Sequence, residues 1–101
     1  MYIERNVFQL KFGSAKPALN MWKAYLEQAH QTDSSIHARL LTDLSGPGYC
    51  IILELGYEAY ADLEPQKCKL TQLSGWSEFY RQFIPLCERS DRTLYKLEQA
   101  F

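Results

Sequence analysis

Arg39 and Glu54 stand on two β-rich runs that a tight turn folds together, so the sequence predicts a guanidinium and a carboxylate side by side across a hairpin. On an outward face such a pair is weak. Inside a closed lumen both charges lose their water and must be satisfied by each other or by a ligand, and a planar guanidinium suits a carboxylate ligand. A structural ion pair across a lumen is the competing reading. His37, opposite Gly56, shares the face. A second set of chemically able residues is Asn6 on the first strand with Trp76 and Tyr80 on a later helix. Trp76 and Tyr80 also lie on a helical stripe that has to cover the sheet, and stripes at this spacing usually pack as core.

Other reactive groups are dispersed. Cys50, Cys68 and Cys87 are odd in number and far apart, with no C-x-x-C and no neighbouring His, so neither a disulfide framework nor a zinc site is encoded. They read as reduced thiols, with Cys50 and Cys87 as small apolar residues. His30 and His37 have no second ligand at ligand spacing. No nucleophile and base stand together, which favours a binding protein over an enzyme on these residues alone.

A chain of 101 residues makes one domain, residues 1–101, and a domain of this size buries only about two thirds of its unfolded surface. Eleven basic and twelve acidic residues, with no Lys/Arg run, argue against a nucleic-acid or anionic-lipid partner. There is no basic leader with an apolar core and no apolar run of about 18 residues, so the expectation is a soluble cytoplasmic protein with no membrane partner.

The elements that must position these groups follow from periodicity. Alternation from Ile3 to Phe12 predicts a strand with Phe8, Leu10 and Phe12 on one face and Val7, Gln9 and Lys11 on the other. Ser14 and Pro17 open an amphipathic helix carrying Leu19, Trp22, Leu26 and Ala29. Ser45-Gly46-Pro47-Gly48 predicts a hairpin between the runs 36–44 and 49–57. Its register sets Leu44 against Tyr49, Thr42 against Ile51, Leu40 against Leu53, Ala38 against Leu55 and Ile36 against Tyr57 on one face. Leu41 with Ile52, Arg39 with Glu54 and His37 with Gly56 occupy the other. A short helix capped by Asp62, a break at Ser74-Gly75, and a helix striped with Trp76, Phe79, Tyr80, Phe83 and Leu86 come next. Glu88-Arg89-Ser90-Asp91 then leads into a last strand, Thr93 to Glu98.

This order predicts an α+β ferredoxin-like βαββαβ subunit with a four-stranded antiparallel sheet and both helical layers on one side. The opposite face is then too apolar for water, with Leu41, Ile52 and Val7 forming a patch larger than scattered surface residues explain. Burying such side chains is worth roughly 1.5–3 kcal/mol each before the cost of association, so a second copy is the expected cover and a homodimeric α+β barrel the expected assembly.

The run Glu4-Arg5-Asn6-Val7-Phe8-Gln9-Leu10-Lys11, with Gly75-Trp76-Ser77-Glu78-Phe79, Ile84-Pro85-Leu86 and Leu94-Tyr95-Lys96-Leu97, resembles the dimeric α+β barrel superfamily and within it the NIPSNAP-type proteins. These are packing and strand motifs, so the resemblance implies a fold more than an activity. It implies use of the space between sheet and helices for a small organic ligand. It also brings in the superfamily's haem-degrading enzymes and its cofactor-independent monooxygenases of quinols and related aromatics. Asn6 and Trp76 fall in elements the haem branch uses, but the second half of the chain contains no His to serve as axial ligand, so no cofactor is expected. The monooxygenase branch needs no metal, and Asn6, Trp76 and Tyr80 are the residues it would use.

Overall fold

The computed structural model describes residues 1–101. β1 (Tyr2–Leu10), β2 (Ala38–Thr42), β3 (Cys50–Tyr57) and β4 (Cys87–Lys96) form one antiparallel sheet in the order β2-β3-β1-β4. α1 (Ala15–Thr32) joins β1 to β2, and the return from β3 to β4 runs through α2 (Leu63–Thr71) and α3 (Trp76–Phe83), flanked by single 3-10 turns at Tyr60–Asp62 and Ile84–Leu86. This is the ferredoxin-like βαββαβ subunit the periodicity predicts, with its second helical layer broken in two. None of its helices is long and apolar enough to cross a membrane.

The hairpin register is as expected over its paired length: Ala38 with Leu55, Arg39 with Glu54, Leu40 with Leu53, Leu41 with Ile52 and Thr42 with Ile51. The ladder stops short of the turn. Asp43 to Tyr49 is a loop in which the Gly48 N–H donates to Asp43 Oδ2 at 2.7 Å and Tyr49 takes a positive φ of 52°. Leu44 therefore does not pair with Tyr49 and is fully exposed, a correction to the sequence expectation. At the far end Ile36 lies outside the ladder but is buried, and the Gly56 N–H donates to the His37 carbonyl at 3.0 Å.

Two strand ends also differ. β1 stops at Leu10 rather than Phe12, whose side chain is exposed against Tyr49. β4 begins at Cys87, not Thr93, because Arg89, Ser90, Asp91 and Arg92 pair with Gln9, Phe8, Val7 and Asn6. An edge strand tolerates this run of polar residues, since only one of its sides meets another strand.

α1 and α3 lie on the face shared by Ile51, Leu53, Leu55 and Tyr57. The core between them is aromatic: Trp22, Tyr25, Phe79 and Phe83 are buried together, with the Trp22 and Phe79 ring centroids 4.6 Å apart and those of Tyr25 and Phe79 4.8 Å apart. Such ring pairs each add about 0.5–1.5 kcal/mol to the gain from burial. The Tyr25 hydroxyl donates to the Leu70 carbonyl at 2.6 Å and so fastens α1 to α2.

Candidate functional site

Alternation along each strand divides the chemically able residues between the two faces of the sheet. Tyr2, Glu4, Asn6 and Phe8 of β1 pair with Tyr57, Leu55, Leu53 and Ile51, so they share the helix-covered face. Arg92 stands opposite Asn6 on β4 and joins them. Above them Trp22 of α1 and Trp76, Tyr80 and Phe83 of α3 complete a cleft of about 380 Å³ that also reaches Lys67 of α2. Asn6, Trp76 and Tyr80 are thus brought together. Arg39, Glu54 and His37 are not with them: they stand on the open face, and none lines the cleft between sheet and helices.

In the cleft, Asn6 Nδ2 donates to Glu4 Oε2 at 3.3 Å and to the Leu53 carbonyl at 3.5 Å, which turns the amide oxygen of Asn6 free of these bonds. Glu4 is 6 % exposed, and Lys67 Nζ lies 3.6 Å from its Oε1. Trp76 and Tyr80 stack at 5.3 Å with an interplanar angle of 29°, and Tyr80 is half-exposed at the mouth. Trp22 is almost wholly buried, yet its indole Nε1–H has no hydrogen-bond partner. A buried donor left unpaired costs about 1–3 kcal/mol, so it is the kind of group a ligand oxygen would satisfy. The Tyr57 hydroxyl is the other buried orphan; burial first, then the charges of Glu4 and Glu64, push its pKa up to about 12, so it is a neutral phenol. Glu4, Trp22, Lys67 and Arg92 are members of this cleft that sequence reasoning missed. Glu4 was within reach, because it alternates with Asn6 on one strand.

On the open face Glu54 is 3 % exposed although no element covers it. Its Oε1 accepts from Arg39, and its Oε2 accepts from Arg5 Nε at 2.8 Å and from a terminal nitrogen of Arg5 at 2.5 Å. Arg5 also lies 5.4 Å over the Tyr95 ring. Burial alone would raise the Glu54 pKa, but hydrogen bonds from Arg5 and Arg39 and the charges behind them hold it below the ordinary glutamate value. Arg5 is the partner the sequence did not reveal, since it faces Glu54 only once β1 is known to lie beside β3. His37 borders a depression of about 650 Å³ at one end of this face, and its ring has no hydrogen-bond partner.

The thiols stay apart from one another. Cys50 is buried, Cys87 half-buried and Cys68 exposed. Burial pushes the Cys50 thiol up, helped by Asp43, and pushes the Cys87 thiol up as well.

The strand order and the helices on one sheet face define a ferredoxin-like α+β fold. The solved structures it matches include a NIPSNAP domain protein from Burkholderia xenovorans, at 18 % identity over 100 % of this chain and 97 % of that one with a TM-score of 0.81. A NIPSNAP family protein from Agrobacterium tumefaciens matches at 17 % identity over 94 % of this chain and 90 % of its own, with a TM-score of 0.78. SnoaB, a cofactor-independent oxygenase from Streptomyces nogalater, matches at 10 % identity over 98 % of this chain and 94 % of that one, with a TM-score of 0.70. No family model and no curated protein matches the chain. The likeness is therefore one of fold, and the fold is that of NIPSNAP proteins, as the resemblance in the sequence implies.

Proposed function

We propose that this chain forms a homodimer through its open sheet face and that each subunit binds a small organic molecule in the cleft between sheet and helices. The observation that carries the reading is the unpartnered Trp22 indole N–H in an aromatic-walled cleft that also holds Asn6 and Glu4. Such a cleft offers flat apolar contact to a ring and a small number of polar groups to orient it, the usual make-up of a ligand site. No cofactor is called upon, and the cytoplasm is the proposed compartment. Arg39 and Glu54, with Arg5, are read as an ion cluster of the subunit interface, and His37 as a residue bordering it.

The test is a thermal-shift screen with phenols, quinols and aryl ketones, repeated on Trp76→Ala and Tyr80→Ala. Ligands that raise the wild-type melting temperature should do so less in both variants. A panel that moves the wild type nowhere, or moves all three proteins alike, rejects the cleft as the site.

A second reading is a cofactor-independent monooxygenase acting on an aromatic or quinol substrate. What favours it is the likeness of fold to the SnoaB oxygenase together with the convergence of Asn6, Trp76 and Tyr80 in one cleft. Oxygen uptake with quinols above the uncatalysed rate, lost in Asn6→Ala, would support it. Uptake at the uncatalysed rate across the panel removes it and leaves binding as the function.

A further inference from the structure

The cleft is not neutral. Of the ionisable groups on its wall, Glu4 is the one carboxylate, against the two cations Lys67 and Arg92. Lys67 is committed to Glu4 at 3.6 Å, and the amide of Asn6 bonds to the same carboxylate. Arg92 has neither an ion pair nor a side-chain hydrogen bond. Its direction is set by the sheet: pairing with Asn6 in the β1–β4 ladder puts it on the helix-covered face. It also borders the neighbouring depression lined by Tyr60, Glu64 and Leu94, so it stands where the aromatic cleft opens outwards.

We infer that the ligand of this cleft is an aromatic carboxylate, its ring against Trp76 and Tyr80 and its anionic group on the guanidinium of Arg92. The inference rests on the cleft being the binding site and adds the ligand's charge. Three features converge on it. The stacked faces of Trp76 and Tyr80 present a flat wall to a ring. The buried Trp22 N–H, on a residue of the cleft wall, has no hydrogen-bond partner and would gain one from an oxygen of the ligand. Arg92 offers a planar fork whose geometry matches a carboxylate by two parallel hydrogen bonds. Glu64 and Glu4, which line the neighbouring depression with Arg92, disfavour a second negative charge and so favour a monoanion over a dianion.

The probe pair is the naphthoate ion and its uncharged isostere naphthamide, titrated at neutral pH against the fluorescence of Trp22 and Trp76, the two tryptophans of the chain. Naphthoate is expected to bind about tenfold tighter than naphthamide, with the preference shrinking as salt is raised. Arg92→Gln should bring naphthoate down to the affinity of naphthamide and leave naphthamide unchanged, while Arg92→Lys keeps part of the preference. Circular dichroism checks that each variant is folded. Equal binding of the two probes by the wild type overturns the inference and leaves the cleft reading standing, as does a preference that survives in Arg92→Gln. Binding of neither probe defeats the cleft reading itself and the inference with it.

Discussion

Glu54 is buried between two guanidinium groups on a face with no covering helix. Removing its charge leaves the two cations of Arg5 and Arg39 close together with no negative charge between them. Glu54→Gln keeps the shape and loses the charge, so it is expected to lower stability by about 1.5–3 kcal/mol at neutral pH, the range for hydrogen bonds to charged groups. The pH dependence has a definite sign. The native pKa of Glu54 is depressed, so its contribution is full above the ordinary glutamate value of 4.5 and is lost as pH falls below that value and through the native one. Urea unfolding of wild type and Glu54→Gln at fixed protein concentration should show a gap that is constant from pH 7 to about 5 and closes in more acidic buffer. A gap that widens on acidification would show that Glu54 is not the ionised centre of this cluster.

The helical layer over the sheet is in two pieces because Gly75 takes a left-handed backbone, φ 92°, between α2 and α3. No atom lies within 4 Å of where a Cβ would stand, so a side chain there meets no clash and the cost of adding one is conformational alone. Gly75→Ala is expected to lose about 1 kcal/mol in chemical denaturation, and Gly75→Asn less, because Asn tolerates this conformation better. A loss several times larger in Gly75→Ala would mean that the turn also packs. This break was legible in Ser74-Gly75, as was the hairpin register in Gly46-Pro47-Gly48, because both depend on local chemistry and on alternation along neighbouring strands. The start of β4 was not, since Arg89, Ser90, Asp91 and Arg92 have loop-like composition and become a strand only by pairing with β1. The candidate site was half legible for the same reason. Asn6, Trp76 and Tyr80 could be named by type, but Glu4, Lys67 and Arg92 join them through long-range pairing and helix placement that no local pattern encodes. The pairing of Arg39 with Glu54 on the face away from the helices was legible, because it follows from alternation along two neighbouring strands.

Seen as a whole, the subunit has one covered sheet face and one bare one. The bare face carries Ile3, Val7, Leu41, Ile52 and Tyr95 around the Glu54 cluster, with Leu41 40 % and Tyr95 46 % exposed. Apolar side chains around an ion cluster in which Glu54 is fully hydrogen-bonded suit a self-complementary interface, for the same patch must serve both partners. Charge placement on Leu41 tests this more cleanly than a core change would, because in the isolated subunit that side chain is already partly in water. Wild-type protein at micromolar concentration is expected to have twice the chain's mass in light scattering. Leu41→Glu would introduce a like-charged pair into a dry interface, so it should shift the mass to that of one chain while circular dichroism stays that of a folded α+β domain. The monomer should also unfold at lower urea, with a midpoint that no longer rises with protein concentration. A wild type of single-chain mass, or a Leu41→Glu variant that stays dimeric, would mean that the bare face is not the interface, and Arg5, Arg39 and Glu54 would then be a solvent-facing cluster with no lumen to line.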